Sequence, residues 1–538
     1  MQPFPEVHVF LNSNFWALYP LLAASLALFH RAHRHGLPLA TGLMLLTGSL
    51  WAHHGGWVLM GPALYYAILP GLAINALVFL LVSQRGGQGP ADPRFRVRLK
   101  TQGGRLVLAN IRRGVSIIGS AGSGKTESVV LGLLRHFKAQ GFCGLIHDYK
   151  HFELTELAYP LFGAKGLPFH IIAFDTIYQR VNPIAPRYLP DEESVNELSR
   201  VLLENLLEQK ETLAQGSTKF FNDAVEGLIG GMIWMLRTHH PQYCTLPHLI
   251  ALYQQLPPIA LIDWLSGDPT ARALAHAFIC GRESERQTAA VLGTLSNALK
   301  KISTQKIFMV LSADGVDLDI NHPDHPSLVC IVNHPRYETA YSPIIATLVH
   351  TITKQMAVRG RRHSFLLLEE APTIRLLNMH RIPATLRSYD ISTVYVMQDK
   401  AQNDMMYGEK ASRAILSNLS YQFFGKANDP DTAGYYERFF AKIEKPVRSI
   451  SKKADPFSPD TRITKGQREV GKVRSEVFFR LGQGEFIAFS DGRDRRVRFP
   501  LPRTKRELPQ PLCPGNGPQV KANFQKIHQE IGTLIRGL

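Results

Sequence analysis

The sequence predicts an α/β protein in which a doubly wound, largely parallel sheet domain carries an all-helical insertion and follows a membrane anchor. Three observations support this prediction. Short apolar runs alternate with helical patterns after residue 85, these strand signals stop between residues 183 and 306, and the first 84 residues hold three uncharged apolar stretches. At 538 residues the chain is also too long for a single core, so several domains are expected.

The predicted anchor comprises the apolar stretches at residues 15–29, 37–52 and 57–82. At about 1.5 Å per residue, the third stretch can cross a hydrocarbon core of about 30 Å, whereas the first two are short on their own. We therefore predict three spans, with two as the alternative. No small-residue cleavage motif follows the first stretch, so an anchor is favoured over a cleaved signal peptide.

The distribution of basic residues predicts the orientation of this anchor. Residues 30–35 contain two arginines, and residues 85–113 contain eight Lys or Arg against one Asp. The positive-inside rule therefore places the N-terminus outside and everything after residue 85 in the cytoplasm, as in a multi-pass membrane protein. The net charge of +17 favours a polyanionic partner, either nucleic acid or an anionic leaflet, with solubility alone as the alternative. The five scattered cysteines fit reduced cytosolic thiols.

A phosphate-binding loop is the most specific motif. Residues 119–126 read G-S-A-G-S-G-K-T, between an apolar strand-like run at 115–118 and a helical pattern that follows. In such a loop the backbone N–H groups converge on a phosphate, the lysine reaches the β- and γ-oxygens, and the threonine hydroxyl binds Mg²⁺. The predicted nucleotide-binding residues are Gly119, Ser120, Ala121, Gly122, Ser123, Gly124, Lys125, Thr126 and Glu127.

The pattern of apolar residues distinguishes the sheet from the insertion. The predicted strands are 115–118, 144–146, 170–174, 306–311, 328–332, 365–368, 393–396 and 421–425. Apolar residues at helical spacing predict helices at 191–210, 217–238, 246–256, 259–265, 268–279 and 286–303. The predicted domains are 1–84 (anchor), 85–186 and 306–501 (the two parts of the α/β domain), 187–305 (all-α insertion) and 502–538 (Pro-rich linker and C-terminal helix).

Two acidic residues end the apolar run at 365–368 and complete the predicted site. Glu369 and Glu370 emerge at the carboxyl edge of a buried strand, where open α/β sheets bind their ligands. Because successive side chains of a strand alternate in direction, the two acids cannot share a role. We assign Glu369 to the Mg²⁺ shell together with Thr126, and Glu370 to activation of the attacking water.

Further polar residues follow neighbouring strands. Gln398 ends the run at 393–396, where its amide can sense a γ-phosphate. Arg387 precedes this strand and is a candidate to stabilise the phosphoryl group of a neighbouring subunit, with a structural ion pair as the alternative. Asp148 and Lys150 follow the second strand and rank lower.

The C-terminal third holds two other segments. Residues 442–474 carry ten Lys or Arg against four acids, interrupted by serines and prolines, and predict a mobile loop. Apolar residues at 520, 524, 527, 531 and 534 predict one amphipathic helix. Packing of this helix on its own domain is the favoured interpretation, and docking on a partner is the alternative.

The order of the motifs resembles that of type IV coupling proteins, the conjugation ATPases of the TraG/TraD/VirD4 family. The resemblance rests on the phosphate loop, Ile146-His-Asp-Tyr-Lys150, Leu368-Glu-Glu-Ala-Pro-Thr373, Ala384-Thr-Leu-Arg387 and Val396-Met-Gln-Asp399. Residues 316–323 and 370–373 look closest to the Bacteroidetes-type mobile-element TraG/MobC branch. The resemblance covers roughly residues 110 to 500.

This resemblance implies a RecA-like P-loop ATPase domain with an inserted all-α domain, preceded by an N-terminal transmembrane helical anchor. It also implies ATP and Mg²⁺ as cofactors, a homo-hexamer at the inner membrane, and delivery of a relaxase with its single-stranded DNA to a type IV secretion channel. Glu370 would match the catalytic acid and Gln398 the sensor. Glu369 stands where the family usually has Asp.

Two other classes of function remain open at the level of sequence. A double-stranded DNA translocase of the FtsK/HerA kind shares the motor core but usually carries a separate winged helix, which the C-terminal residues do not suggest. A membrane adaptor that binds nucleotide without turnover is the third interpretation, if Glu369 does not hold the metal.

Overall fold

The computed structural model describes residues 92–163, 166–207, 217–440, 442–452, 461–502 and 504–537. The apolar stretches predicted to form the anchor, within residues 15–82, lie outside these ranges. Within the described ranges, no helix combines the length and the apolar character that a membrane crossing requires.

A nine-stranded sheet organises the described chain, in the order β14-β13-β10-β3-β9-β8-β4-β7-β5. The run from β10 to β5 is parallel throughout, and β13 and β14 extend it as an antiparallel pair at one edge. The strands are β1 Val97–Thr101, β2 Gly104–Leu108, β3 Val115–Ile118, β4 Cys143–Asp148, β5 Phe169–Ile172, β6 Thr176–Ile177, β7 Leu328–Val332, β8 Ser364–Leu368, β9 Ile391–Met397, β10 Tyr421–Phe424, β11 Lys442–Lys452, β12 Thr461–Gly471, β13 Glu485–Ser490, β14 Arg493–Arg498 and β15 Cys513–Pro514. The predicted α/β class is confirmed, with a mixed rather than purely parallel sheet.

Helices cover both faces of this sheet and form the insertion. They are α1 Leu131–Ala139, α2 Glu153–Phe162, α3 Glu192–Leu207, α4 Ser217–His239, α5 Leu246–Gln255, α6 Pro258–Ser266, α7 Pro269–Leu274, α8 His276–Cys280, α9 Glu285–Lys300, α10 Gln305–Leu311, α11 Glu338–Met356, α12 Ile382–Arg387, α13 Lys400–Tyr407, α14 Glu409–Ser417, α15 Pro430–Phe439, α16 Ser475–Phe479 and α17 Pro518–Arg536.

The parallel strands read as continuous apolar runs because both of their faces are buried. In β8, Leu366 and Leu368 enter the core on one face, whereas Phe365 and Leu367 enter the core on the other. Helices α1 and α2 pack on the second face, and α11 packs on the first. This alternation fixes the directions in which the residues after each strand leave the sheet.

The predicted strand at residues 306–311 is wrong, because these residues form α10. A short apolar run does not distinguish a buried strand from a helix buried on all sides. All residues from Ile307 to Leu311 are buried, between α5 and α17. The hydroxyl of Thr304 caps the helix by accepting a hydrogen bond from the Ile307 N–H. The helical region between β6 and β7 therefore extends to Leu311.

The predicted loop at 442–474 is also wrong over most of its length. Strands β11 and β12 pair antiparallel, from Lys442 opposite Gly471 to Lys452 opposite Thr461. The β-branched residues of these two segments favour a strand. The composition of each segment alone does not reveal that the other segment is its pairing partner.

The predicted C-terminal helix is observed as α17, and it packs on its own chain. Val520, Ile527 and Ile531 are buried, and the ring of Phe524 lies 4.8 Å from that of Phe308 in α10, centroid to centroid. Before it, β15 pairs with β6, so the Pro-rich segment returns the chain to the α/β domain.

Candidate nucleotide site

The phosphate-binding loop connects β3 to α1 at the carboxyl edge of the sheet. Gly122 and Gly124 adopt positive φ angles of 73° and 82°, which side-chain-bearing residues adopt only with strain. A π-helical turn, Thr126–Val130, joins the loop to α1. The predicted order of strand, loop and helix is therefore present, with successive backbone N–H groups available at a helix N-terminus.

Lys125 is folded back onto this loop. Its Nζ donates to the Gly119 carbonyl at 2.5 Å and lies 3.4 Å from the Ser120 carbonyl. The side chain is buried, and burial lowers the pKa of Lys125 to about 8, although the charge of Glu370 opposes this shift. An anion in the loop would offer Lys125 a stronger acceptor than these carbonyls.

Two hydroxyl groups inside the loop fit an anionic ligand. The side-chain oxygens of Ser120 and Ser123 are buried and have no hydrogen-bond partner in the described part of the chain. A buried hydroxyl without a partner costs about 1–3 kcal/mol, which a phosphate oxygen in the loop would offset.

The loop is held from outside by residues far along the chain. The Ser120 N–H donates to the Lys426 carbonyl at 2.7 Å, and the Gly484 N–H donates to the Ser123 carbonyl at 2.9 Å. A Cβ on Gly124 would lie 2.9 Å from the Gly484 nitrogen. Sequence reasoning missed these supporting residues; the tight Gly482-Gln-Gly484 turn is the only local signal for them.

Glu370 and Gln398 meet at the same edge of the sheet, as predicted for residues that follow neighbouring strands. The Glu370 carboxylate accepts two hydrogen bonds from Gln398, one from its backbone N–H at 3.1 Å and one from its side-chain amide at 3.2 Å. Burial raises the pKa of Glu370, whereas the charge of Lys125 and the bonds from Gln398 lower it. Glu370 has a left-handed backbone, with φ of 46°, which turns the chain sharply after β8.

Glu369 leaves the sheet in a different environment. Its Oε1 lies 3.5 Å from the Lys150 ammonium, and its Oε2 is buried without a partner in the described residues. Burial raises the pKa of Glu369 to about 8, and the nearby carboxylate of Asp148 adds to this rise. The two acids therefore have separate surroundings, and the free oxygen of Glu369 is available to a cation.

Asp148 and Lys150 support the site from β4. Asp148 is fully buried and accepts two hydrogen bonds from Thr155, through its N–H and its hydroxyl, both at 2.7 Å. Lys150 contacts Glu369 and lies 3.7 Å from Glu153. Asp148 therefore anchors the start of α2, while Lys150 neutralises part of the acidic charge.

Thr126 and Glu127 follow the loop lysine. Thr126 is buried in the turn before α1, whereas the Glu127 carboxylate lies 3.4 Å from the Arg506 guanidinium. Glu127 is thus engaged by a residue of the C-terminal segment.

Arg387 is the predicted site residue that stands apart. It is exposed at the end of α12, which packs beside the turn Ile111–Arg113 that leads into β3. This is the amino-terminal edge of the sheet, and the seven residues of β9 correspond to roughly 20 Å from the loop edge. Arg387 forms no ion pair with any residue of the described ranges, so the structural ion pair considered for it is absent there.

A cavity of about 660 Å³ opens beside Glu370 and Gln398. Its other walls are the end of α3 in the helical insertion, the start of α11 and the end of α13. The edge of the sheet that carries Glu370 and Gln398 therefore faces the insertion across open space.

A second group of potential metal ligands, His151, Asp175 and His334, follows β4, β5 and β7, which lie three to five positions away from β3 in the sheet. Asp175 already accepts hydrogen bonds from the Lys306 ammonium at 2.5 Å and the Tyr341 hydroxyl at 3.1 Å. His334 Nδ1 accepts from the Arg336 N–H at 3.0 Å, which leaves the proton of the neutral ring on Nε2. Asp175 and His334 thus have hydrogen-bond partners within the chain, and we assign the cluster no metal.

Comparisons with known proteins agree with the motif order. A sequence model described as the TraM recognition site of TraD and TraG matches residues 363–471. The bacterial conjugative coupling protein TrwB in an unbound form has a similar structure, with a TM-score of 0.60 at 12% identity over 77% of this chain and 90% of that chain. TrwB in complex with ADP and Mg²⁺ has a TM-score of 0.58 at 13% identity, over 74% and 87% of the two chains.

A third TrwB structure, in complex with a non-hydrolysable ATP analogue, has a TM-score of 0.57 at 12% identity over 74% of this chain and 87% of that chain. No curated protein matches the chain in sequence. The resemblance to type IV coupling proteins is confirmed by the family match over 363–471 and by the shared fold. The Bacteroidetes-type branch remains a prediction from the sequence.

Proposed function

We propose that this protein is the ATP-hydrolysing coupling protein of a conjugative type IV secretion system, which recruits a relaxase with its single-stranded DNA and drives their transfer. The proposal is carried by the similarity of this fold, with its helical insertion, to that of a conjugative coupling protein. At one edge of the sheet this fold brings together the loop at 119–126, the acids Glu369 and Glu370, and the amide of Gln398.

ATP is the proposed substrate and Mg²⁺ the proposed ion. The loop from Gly119 to Thr126 would hold the phosphates, and Thr126 with the free oxygen of Glu369 would contribute to the metal shell. When bound, Mg²⁺ supplies positive charge next to the phosphates. Glu370 would orient and deprotonate the attacking water, while Gln398 holds Glu370 in place and responds to the γ-phosphate.

The proposed surroundings of this motor follow from the sequence. The apolar stretches within residues 15–82 would anchor it in the inner membrane, with the α/β domain in the cytoplasm. Six copies would form a ring, with Arg387 acting on the nucleotide of the adjacent copy. Arg387 is exposed at the sheet edge opposite its own loop and has no ion pair among the described residues, which is compatible with that role.

The full chain, purified in detergent, tests the proposal by its rate of ATP hydrolysis with and without single-stranded DNA. We expect DNA to raise the rate, and Lys125→Ala to abolish it, because the charge on the β- and γ-phosphates is lost. DNA affinity should fall steeply with salt, since Lys and Arg contacts to phosphates release counterions.

Three results would contradict the proposal in different ways. Stimulation by double-stranded DNA alone would indicate a double-stranded DNA translocase. Nucleotide binding without turnover under all conditions would indicate an adaptor. A flat dependence of DNA affinity on salt would mean that the net charge of +17 serves another purpose.

A further inference from the structure

The loop that follows Glu370 is fastened to the helical insertion by Arg375. The Arg375 guanidinium donates to Glu204 Oε2 at 3.2 Å and to the Met406 carbonyl at 3.2 Å. Arg375 and Glu204 expose only 17% and 15% of their side chains, so this ion pair is largely shielded from solvent. Glu204 belongs to α3, and Met406 belongs to α13.

A second contact fixes the backbone at the same point. The side-chain amide of Asn205, also in α3, pairs with the peptide of Arg375: its Oδ1 accepts from the Arg375 N–H at 3.1 Å, and its Nδ2 donates to the Arg375 carbonyl at 2.9 Å. The side-chain amide of Asn205 thus makes the same pair of hydrogen bonds to the Arg375 backbone that a neighbouring strand would make. Both side chains belong to the insertion, and both bind the segment that leaves the catalytic acid.

The chain segments that leave Glu370 and Gln398 converge again at this contact. Four residues separate Glu370 from Arg375, and α13 leads from Gln398 to Met406. The Tyr407 hydroxyl closes the far end, by accepting from the Leu376 N–H at 3.1 Å and donating to the Ile374 carbonyl at 3.2 Å. At the near end, Glu370 and Gln398 bond to each other. The two segments therefore form a closed frame, one corner of which is attached to α3.

This frame has room to move. The cavity of about 660 Å³ is lined by members of the frame on one side and by Glu204 and Asn205 on the other. The cavity leaves α3 room to shift, and the hydrogen bonds to Arg375 are contacts through which such a shift would reach the segment that follows Glu370. A displacement near 1 Å is enough to change a catalytic rate by about 10²-fold.

We propose that Arg375 is a positioning residue that ties Glu370 and Gln398 to the helical insertion, so that a macromolecule bound by the insertion controls ATP hydrolysis. This inference rests on the proposed function and concerns the regulation of the same site. It requires no contact between Arg375 and the nucleotide.

The test compares two arginines of matched burial in the full-length protein. Arg375→Gln breaks the contact to Glu204, and Arg361→Gln breaks the pair with Asp319, whose side chains expose 18% and 16%. We expect Arg375→Gln to lower the DNA-stimulated kcat by roughly tenfold or more, with KM for ATP within about twofold, because the phosphate loop is unchanged. Arg361→Gln should change kcat by less than about twofold at a similar loss of Tm.

A variant on the other side of the contact separates coupling from local damage. Asn205→Leu lies in the insertion and removes both bonds to the Arg375 peptide at similar volume. It should lower kcat in the same way as Arg375→Gln. Arg375→Lys, which keeps the charge but loses the planar fork, should recover part of the rate.

Hydrogen exchange measures a response to nucleotide that would not change if Arg375 had only a structural role. A non-hydrolysable ATP analogue should slow exchange in residues 192–207 of the wild-type chain, and Arg375→Gln should remove this response. Equal kcat for the Arg375→Gln and Arg361→Gln variants, or an unchanged exchange response, would overturn the inference while leaving the proposed function standing. A wild-type chain that binds the analogue but never hydrolyses ATP would contradict the proposed turnover. The hydrogen-exchange response of residues 192–207 would then be the measurement that tests the link between Arg375 and the insertion. Failure to bind any nucleotide overturns both.

Discussion

Burial shifts the pKa values of two charged residues of the site in the direction of their neutral forms. Burial lowers the pKa of Lys125 to about 8 and raises that of Glu369 to about 8, although their usual values lie far apart. The charged form of a buried group becomes favourable when a bound ligand supplies a charge of the opposite sign. The site is therefore electrostatically prepared for phosphate at Lys125 and for a cation at Glu369.

Replacing the two acids separately tests their different surroundings. Glu370→Gln should still bind ATP but slow turnover by about 10²–10⁴-fold, because the base is lost and one amide oxygen must replace two carboxylate oxygens facing Gln398. Glu369→Gln should weaken Mg²⁺-dependent binding instead. Single-turnover rates and nucleotide affinity with and without Mg²⁺ measure the two effects. Turnover at the parental rate in Glu370→Gln, with a loss in Glu369→Gln, would mean that the roles are reversed.

Nucleotide binding should also depend on pH through Lys125. The free protein loses this proton above pH 8, whereas bound phosphate favours the charged form, so binding takes up a proton and the affinity falls as pH rises, by up to about tenfold per unit. The sign for folding is the opposite: the unfolded chain keeps the proton up to its ordinary pKa of 10.5, so this group makes the folded state more stable as pH rises from 8.

Calorimetry of ATP binding at pH 8.5, without Mg²⁺ and in buffers of different ionisation enthalpy, measures this proton uptake. The control is Lys125→Arg, which stays charged at that pH and should bind without uptake. Equal uptake in both proteins would assign the proton to another group.

These residues differ in how far the sequence predicts them. Glu370 and Gln398 each follow a recognisable apolar run, and Lys125 belongs to a recognisable loop motif, so the sequence places all three at the sheet edge without any tertiary information. Arg375 and Gly484 carry no such pattern. Their roles arise from contacts with segments about 170 and 360 residues away, which no local window contains.

At the scale of elements, what surrounds a segment decides its structure more than its own composition. Residues 306–311 are apolar enough for a buried strand, yet they form α10 because α5 and α17 enclose them. The basic segment becomes a hairpin because β12 pairs with β11 along eleven residues. In contrast, α17 was predictable because its apolar stripe is periodic over the whole helix.

Two glycines of the phosphate loop test how strongly a neighbouring segment constrains it. Both Gly122 and Gly124 have positive φ, but a Cβ on Gly122 meets nothing within 4 Å, whereas a Cβ on Gly124 meets the turn at Gly484. Gly122→Ala should cost about 1 kcal/mol from backbone strain alone. Gly124→Ala should cost a further 1–3 kcal/mol or so and abolish nucleotide binding. Denaturant unfolding and nucleotide titration measure both; equal losses would show that the turn yields to the added methyl group.

For the whole molecule, the separation of Arg387 from its own loop predicts a site shared between subunits. Arg387→Ala should assemble and bind ATP but hydrolyse it about 10³-fold more slowly. Mixing this variant with Lys125→Ala protein places an intact arginine beside an intact loop at some interfaces, so the rate of hydrolysis should partly recover. No recovery in rings that contain both variants would restrict Arg387 to a structural role.

The position of β10, β13 and β14 beside β3 has a consequence for biosynthesis. The loop is completed by Lys426 and Gly484, which leave the ribosome about 300 and 360 residues after it. At about 5–20 residues per second, that interval is roughly 15 to 70 s. A nascent chain that stops before residue 480 contains the complete G-x-x-x-x-G-K-T motif and both acids but lacks the Gly484 contact to the loop, so we expect it not to bind nucleotide. We therefore expect nucleotide binding to begin only after the residues around Gly484 have been synthesised.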